Sequence, residues 1–331
     1  MSLRTIDLFC GAGGSSWGAQ AAGCEIVAGF DMNEGARSAY SSNFPHAKLF
    51  GDRLENLDPA SLQSQLGAID LLLASPECTN HSPAKGKAPR SETSRDTAFQ
   101  VVRFAETFTP RWIVIENVVN MLNWHRYSEF KSRLVELGYN TKEYKINAAD
   151  FGVAQTRKRL FVICDRANSP PEITPALVLQ KSARDIIEWD SKFPFTPLHR
   201  PQRAKRTIER AERAQAILGT STPYLMVYYG TDGSGGWQSL DKPLRTITTL
   251  DRFALVVPGK SGPEMRMLQV PELKAAMGMP KRFIAGTGPR REQIRAIGNG
   301  VCPPVMKAII KKLLATKSVH PPLPSANQSA K

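Results

Sequence analysis

The sequence predicts an α/β protein with a mostly parallel sheet and a second, smaller domain. Apolar, strand-like runs alternate with helical patterns between residues 5 and 163, which is typical of βαβ units. Polar clusters follow the ends of these runs, at the edge where parallel sheets bind ligands. The alternation stops over residues 165–245, and helical periodicity returns at 303–315. These observations indicate one regular domain and one looser domain.

Each element follows from the pattern of apolar and polar residues. Short apolar runs bounded by turn residues indicate strands, and apolar residues at helical spacing indicate helices. The predicted strands are 5–10, 25–30, 48–50, 69–74, 112–115 and 159–163, with strand-like pieces at 224–229 and 253–257. The predicted helices are 15–22, a segment ending near 43, 97–107, 127–138, 271–278 and 303–315.

The composition excludes several classes of protein. The 331 residues include 44 Lys+Arg against 30 Asp+Glu, a net charge of +14, so long-range electrostatics attract the chain to polyanions. A solvated basic face without a ligand is the alternative. We expect no membrane segment, because no apolar run approaches roughly 18 residues. The N-terminus also lacks a secretory signal pattern.

The cysteines argue against both disulfides and zinc. There are five, at positions 10, 24, 78, 164 and 302, and no pair has the Cys-x-x-Cys spacing. An odd number of widely separated cysteines with few histidines does not form a disulfide framework or a structural zinc site. We therefore expect no metal and a reducing compartment, the cytoplasm.

A glycine cluster follows the first predicted strand. In Phe9-Cys10-Gly11-Ala12-Gly13-Gly14, glycines allow close approach of a ligand to the backbone, and the next helix offers free N–H groups. Asp31 and Asp52 end the next two strands, where a carboxylate can accept hydrogen bonds from ribose. A plain tight turn is the alternative. The spacing does not match Gly-x-Gly-x-x-Gly, so an adenosyl cofactor is favoured over NAD.

Two reactive side chains lie at later strand ends. Cys78 follows the apolar run 71–74 and is either an accessible nucleophile or a packing cysteine. Glu116 ends the apolar run Trp112–Ile115. A carboxyl there must be paired, protonated or functional, because burial without a partner is unfavourable.

A third cluster combines an amide with cations. In a strand-like stretch Gln155, Arg157 and Arg159 point to one side and Lys158 to the other. A solvated face explains such a run by itself. Beside a thiol and a carboxylate, the guanidinium groups suit a polyanionic substrate that carries a carbonyl-bearing ring.

Taken in order, these motifs resemble those of the cytosine-C5 DNA methyltransferases. The similar segments are Phe9–Gly14, Pro76-x-Cys78, Glu116-Asn117-Val118, Gln155-x-Arg157-x-Arg159, Arg245–Thr248, Arg266–Leu268 and Gly298–Pro304. The resemblance covers about residues 3–163 and 241–315. The unmatched middle corresponds to the region with which this family recognises its target sequence.

The resemblance implies a Rossmann-like, S-adenosylmethionine-dependent methyltransferase sheet. It also implies a discontinuous catalytic domain, 1–165 and 285–317, interrupted by a target-recognition domain, 166–284. The tail, 318–331, is rich in Pro, Ser and Ala, and we expect it to be disordered.

The resemblance also implies roles for individual residues. Cys78 would attack C6 of a flipped-out cytosine, Glu116 would hold N3 and the amine, and Arg159 or Arg157 would contact O2 and the phosphate. The implied cofactor residues are Phe9, Gly11, Gly13, Asp31, Met32, Asp52, Arg53, Asn299 and Val301. The candidate DNA contacts are Ser82, Lys85, Lys87, Gln155, Arg203, Lys205 and Arg206.

The nucleophile segment departs from the family pattern. Members have Pro immediately before the Cys and Gln immediately after it, whereas this chain has Glu77 and Thr79. A carboxylate close to Cys78 disfavours the thiolate, unless the two side chains diverge and Glu77 faces the cofactor or the target amine. Glu77 thus motivates the hypothesis of an altered target base or altered kinetics.

Three functions remain open at this point. The favoured one is a DNA cytosine-C5 methyltransferase that acts on double-stranded DNA as a monomer, with a cognate restriction endonuclease as a further partner. A tRNA cytosine-C5 methyltransferase would use the same chemistry. A catalytically silent DNA-binding relative would keep only the scaffold.

Overall fold

The computed structural model describes residues 2–78, 80–81, 91–175, 178–190, 193–229, 232–233 and 235–317. Within these residues a seven-stranded sheet is formed by β1 to β7, which span Arg4–Leu8, Glu25–Phe30, Lys48–Phe50, Leu71–Ala74, Trp112–Asn117, Asn140–Asn147 and Lys158–Asp165. Helices α1 to α6 span Gly14–Ala21, Glu34–Asn43, Pro59–Leu66, Glu92–Arg95, Phe99–Phe108 and Tyr127–Glu136. The predicted disordered tail and the predicted DNA contacts Ser82, Lys85 and Lys87 lie outside the described residues.

The order of strands in this sheet is β3-β2-β1-β4-β5-β7-β6. The first five strands in this order are parallel, while β7 runs antiparallel to both β5 and β6. Because of this reversal, the start of β7 lies at the same edge as the carboxyl ends of β4 and β5. The predicted α/β fold with a mostly parallel sheet is confirmed.

The apolar runs become strands because both faces of the sheet are covered. Leu71 and Leu73 belong to one core cluster, and Leu72 and Ala74 belong to another on the opposite face. A strand buried on both sides needs a continuous apolar run rather than alternation. Local capping fixes helix starts: the Asp58 carboxylate accepts from Ala60 N and Ser61 N at the start of α3.

A second sheet is antiparallel and has the order β10-β9-β11-β12-β8. Its strands β8 to β12 span Thr196–Pro197, Tyr224–Val227, Trp237–Ser239, Phe253–Val257 and Glu264–Met267. The remaining helices α7 to α10 span Lys205–Leu218, Val270–Ala276, Arg290–Asn299 and Pro303–Lys317.

The two sheets share apolar packing. Leu225 and Leu255 of the second sheet join the same core cluster as Leu71 and Leu73 of the first, while α7 packs on the other face of the second sheet. The C-terminal helix α10 returns to contact α1. The division into catalytic residues 1–165 and 285–317 and recognition residues 166–284 stays a prediction.

Two absences apply to the described part of the chain. No helix there has the length and apolar character needed to span a bilayer. No group of three or more His, Cys, Asp or Glu side chains there is arranged to hold a metal ion.

Candidate active site

The nucleophile candidate lies in a turn directly beyond β4. Cys78 is partly exposed, and its carbonyl accepts a hydrogen bond from His81 N at 3.0 Å. Two asparagines, one at the end of β5 and one just after it, hold this turn. Asn117 Nδ2 donates to Pro76 O at 3.1 Å, and Asn120 Nδ2 donates to His81 O at 2.7 Å. The backbone on both sides of the thiol is therefore fixed to the neighbouring strand end.

A buried ion pair faces the same edge. Glu116 is 6% exposed at the end of β5, and Arg159 Nε lies 3.2 Å from its Oε1. The pair forms because β7 runs antiparallel to β5 and brings its first residues beside the last residues of β5. Burial raises the pKa of Glu116, while Arg159 and Arg157 oppose the shift. The carboxyl group is therefore easier to protonate than a free glutamic acid.

The Cys78 thiol interacts electrostatically with the same groups. Burial raises its pKa, and Glu116 raises it further, whereas Arg159 and Arg157 lower it. Glu77 is the weakest of the named influences and also raises this pKa. The thiol in the free protein is mostly protonated at neutral pH, and the two arginines supply the positive charge that favours the thiolate.

Arg157 is occupied by the protein itself. Its Nη1 donates to Ile247 O at 3.1 Å, and its Nη2 donates to Gly298 O at 2.9 Å and Gly300 O at 3.0 Å. Burial, together with the nearby positive charge of Arg159, lowers the pKa of this guanidinium to about 10. These contacts hold Arg157 within the protein, whereas Arg159 is paired with Glu116. The contact of either arginine with the substrate stays a prediction.

The glycine cluster after β1 forms a strained, open loop. Phe9, Gly11 and Gly13 have φ values of 57°, 54° and 93°, in the region that L side chains rarely adopt. A Cβ at Gly11 would have no neighbour within 4 Å, so this side of the loop has room for a ligand. Asp31 closes the loop, because its Oδ2 accepts from Gly11 N at 2.9 Å and its Oδ1 accepts from Asn33 N at 2.8 Å.

The C-terminal segment completes this loop. A Cβ on Gly14 would lie 2.4 Å from Val301 O, and one on Gly18 would lie 2.6 Å from Pro303 O. Only glycine at positions 14 and 18 allows this close approach of α1 to the segment that leads into α10. Val301 is thereby placed beside the loop, and its contact with the cofactor stays a prediction.

A comparison with known proteins identifies the family to which this arrangement belongs. The family model "C-5 cytosine-specific DNA methylase" matches residues 3–315. The chain belongs to the C-5 cytosine-specific DNA methylase family.

Individual relatives agree with this assignment. Type II methyltransferase M.HindV from Haemophilus influenzae is 30% identical over 256 residues, covering 76% of this chain and 83% of the relative. Type II methyltransferase M.HgiDI from Herpetosiphon aurantiacus is 29% identical over 257 residues, covering 74% of this chain and 80% of the relative. The chain is therefore a DNA cytosine-C5 methyltransferase that uses a methyl donor.

Solved structures show the same fold. A DNA modification methyltransferase encoded within an E. coli prophage superposes with a TM-score of 0.69 at 17% identity, covering 95% of this chain and 99% of that one. Spodoptera frugiperda DNMT2, solved as a mutant, gives a TM-score of 0.69 at 19% identity, covering 95% and 100%. The sheet is the Rossmann-like sheet of these methyltransferases.

The other predicted site residues of this methylase differ in how exposed they are. Of the predicted cofactor residues, Met32, Asp52, Arg53 and Asn299 are all exposed. Met32 is 63% exposed although it is apolar, and its role stays a prediction.

Two predicted DNA contacts are engaged within the protein. Gln155 is fully buried: its Nε2 donates to Ala276 O at 3.3 Å, and its Oε1 accepts from Ile247 N at 2.9 Å. Arg203 donates to Leu198 O at 3.2 Å and Pro197 O at 3.0 Å. In contrast, Lys205 and Arg206 at the start of α7 are exposed. Gln155 therefore faces the interior, whereas Arg203 is half-buried and bonded to nearby carbonyls.

A buried network that the sequence did not reveal lies under the loop Phe9–Gly14. Ser16 Oγ donates to Asp7 Oδ2 at 2.6 Å and lies 2.8 Å from the Tyr40 hydroxyl. Burial raises the pKa of Asp7 to about 7, against the hydrogen bond from Ser16. The contribution of Asp7 to the free energy of unfolding is therefore greatest below its ordinary pKa of 3.8, and it is lost as pH rises from there through about 7. Asp7, like Glu116, is a carboxyl in an apolar strand, and this shared pattern could have identified it from the sequence.

Proposed function

We propose that this methylase transfers a methyl group from S-adenosylmethionine to C5 of a flipped-out cytosine in a specific duplex sequence. Transfer proceeds through a covalent bond between Cys78 and C6 of the base. One observation carries the proposal: a thiol, a buried carboxyl and a guanidinium converge where β4 and β5 end and β7 begins.

The chemistry follows from the electron demand of cytosine. C5 is a poor nucleophile, so the Cys78 thiolate first bonds to C6, and the electrons of the C5–C6 double bond make C5 nucleophilic. Glu116 gives its proton to N3, which neutralises the charge on the ring. Once C5 carries the methyl group, a base removes the C5 proton, the double bond re-forms, and Cys78 leaves as thiolate while N3 returns its proton.

The loop around Phe9–Gly14 fits an adenosyl cofactor. The backbone is open at Gly11, and the Asp31 carboxylate is held at the end of β2 with lone pairs left for ribose hydroxyls. We assign Phe9, Gly11, Gly13, Asp31, Met32, Asp52, Arg53, Asn299 and Val301 to this site. S-adenosylmethionine supplies an electrophilic methyl group on sulfur when bound there.

Replacing Asp31 with Ala should raise the apparent KM for S-adenosylmethionine by about tenfold to a hundredfold, because a charge-assisted hydrogen bond is lost. The measurement is initial rate against cofactor concentration at saturating DNA. Glu34→Ala removes an exposed carboxylate at the start of the next helix and is the matched control. An unchanged KM for the Asp31 variant would move the ribose contact elsewhere.

The duplex is held by positive charge outside the catalytic edge. Lys205 and Arg206 open α7 with their side chains in solvent. Contacts of this type bind phosphate without reading sequence. Extrusion of the target base from the stack requires a few kcal/mol, which such contacts help to offset.

Charge reversal of both residues, Lys205→Glu with Arg206→Glu, should weaken duplex binding and reduce the slope of log Kd against log salt by about two. The measurement is fluorescence anisotropy with a labelled duplex over a series of salt concentrations. The variant Lys311→Glu with Lys312→Glu, on exposed positions of α10, carries the same change in net charge as a control. Identical slopes for the two double variants would identify the start of α7 as solvated surface.

A methyl-transfer assay separates the three candidate functions. Labelled S-adenosylmethionine is incubated with the protein and either duplex DNA or tRNA. We expect label on the duplex alone, and bisulfite sequencing of DNA from expressing cells should then give the recognition sequence. Label on tRNA alone would establish the RNA enzyme, and duplex binding without transfer would establish the silent relative.

The relatives named Type II methyltransferases suggest the biological setting. We propose a monomer that acts on the chromosome in the cytoplasm, beside a cognate restriction endonuclease whose site it protects. Protection of expressing-cell DNA from one endonuclease, and a single species in analytical ultracentrifugation, are the corresponding tests.

A further inference from the structure

Glu77 directly precedes the nucleophile, and its side chain is directed away from the reacting edge. Its Oε1 accepts from Asn80 Nδ2 at 3.2 Å, and its Oε2 accepts from the Ser94 hydroxyl. Asn80 Nδ2 also donates to Ser94 Oγ at 2.8 Å. The carboxylate is therefore tied to α4, rather than facing the cofactor or the target amine as the sequence analysis considered.

Asn80 adds backbone contacts to this connection. Its Oδ1 accepts from Ser91 N at 2.9 Å, and its carbonyl accepts from Arg95 Nε at 3.1 Å. Ser91 caps α4 by accepting from Ser94 N. Asn80 is 5% exposed, so its amide is paired away from water, whereas Glu77 and Ser91 are exposed. We call Glu77, Asn80, Ser91 and Ser94 the clasp.

The helix that receives the clasp is itself anchored. Glu92 accepts from Trp124 Nε1 at 3.1 Å and from Arg95 Nη1 at 2.6 Å. Trp124 is buried in the core between β5 and α6. The clasp therefore connects the turn that carries Cys78 to a fixed part of the protein.

We propose that Glu77 and Ser94 are positioning residues, which hold the turn at Cys78 so that its sulfur meets C6 of the target base. This inference rests on the proposed function. Where the family has proline, whose ring restricts the backbone, this chain restrains the same position with hydrogen bonds from a side chain. The restraint brings a negative charge near the thiol. Among the groups that shift the pKa of Cys78, this charge has the smallest effect.

Restraint and charge can be separated by two substitutions at one position. Glu77→Ala removes both, whereas Glu77→Gln keeps an acceptor for Asn80 and a donor for Ser94 but removes the charge. Ser94→Ala breaks the clasp and leaves the Glu77 charge in place. Ser64→Ala at an exposed position of α3 and Glu106→Ala at an exposed position of α5 are matched controls.

The first measurement is single-turnover methyl transfer with saturating cofactor and duplex. Glu77→Ala and Ser94→Ala should each lower the transfer rate by about tenfold, with duplex Kd within about twofold of wild type, since a positioning hydrogen bond acts on the reacting geometry. The double variant should lose no more than either single variant, because both break one clasp. Glu77→Gln should retain the wild-type rate or exceed it. An unchanged rate for Ser94→Ala would overturn the inference, as would equal losses for Glu77→Gln and Glu77→Ala.

The second measurement needs neither DNA nor cofactor. The rate of Cys78 alkylation by iodoacetamide is followed by mass spectrometry across pH, which gives the thiol pKa and the limiting rate separately. Glu77→Gln should lower the pKa of Cys78 and leave the limiting rate unchanged, while Ser94→Ala should raise the limiting rate several-fold. If the protein transfers no methyl group to DNA but shows this alkylation pattern, the role of the clasp is supported and the proposed function is refuted. If alkylation is the same in all variants, only the role of the clasp is refuted.

Discussion

Replacing Cys78 with Ser should reduce methyl transfer by roughly a thousandfold or more, a loss of about 4 kcal/mol of transition-state stabilisation. A serine hydroxyl is far less acidic and less nucleophilic than a thiol. Duplex affinity should stay within about twofold, because the side chain is small and the turn is held by Asn117 and Asn120. The measurement is transfer of labelled methyl to duplex DNA, with Kd from anisotropy.

Trapping distinguishes loss of the nucleophile from loss of structure. A duplex that carries 5-fluorocytosine blocks removal of the group at C5, so wild-type protein should remain bonded to it through Cys78. Cys24→Ala, which changes another free cysteine, is the matched control and should trap like wild type. Product formation by Cys78→Ser at more than a few per cent of the wild-type rate would contradict the assignment.

Replacing Glu116 with Gln should lower kcat by about a hundredfold to ten-thousandfold, the range expected when a positioned acid is removed. The amide can still hydrogen-bond N3 and the amine of cytosine, so duplex affinity should change little. The Arg159 guanidinium loses its ion-pair partner, which adds to the loss. Single-turnover rates report the chemical step, and Glu136→Gln on the exposed face of α6 serves as control. Comparable rates for Glu116→Gln and wild type would assign N3 protonation to another group.

The pH dependence of kcat/KM is an independent test of proton donation by Glu116. Burial raises both the pKa of Cys78 and the pKa of Glu116, and the reaction requires the thiolate together with the protonated carboxyl. As pH rises between the two values, gain of thiolate is offset by loss of carboxyl proton, so wild-type kcat/KM should be flat there. Glu116→Gln removes the second dependence, and its kcat/KM should rise with pH until Cys78 is ionised. A flat profile in the variant would argue against proton donation by Glu116.

The regular part of the fold follows from local sequence. Strand β2 at Glu25–Phe30 and β3 at Lys48–Phe50 match their predicted bounds, because the apolar residues of each run stop just before Asp31 or Gly51. Helix α7 was not predicted, since its basic residues mask the few alanines that face the second sheet. Edge strand β6 was also missed, because exposed Lys and Glu side chains interrupt its apolar pattern.

The site shows the same division between local and distant information. The end of β4, the end of β5 and the start of β7 could be placed at one edge from strand order and alternation. Burial also alternates as predicted, with Gln155 and Arg157 buried and Lys158 exposed. The sequence could not show that Gln155 and Arg157 face the protein interior, because their partners come from residues 247–300. Such contacts depend on the tertiary fold and leave no periodic signal.

Arg157 gives this dependence a consequence for biosynthesis. The two Nη groups of its guanidinium donate to carbonyls that lie 90, 141 and 143 positions later in the chain. A nascent polypeptide thus has to bury that cation without partners, or leave the adjoining edge unformed, until residue 300 has left the ribosome. Chains that terminate before residue 300 should therefore not methylate DNA, even where their basic segments still bind it.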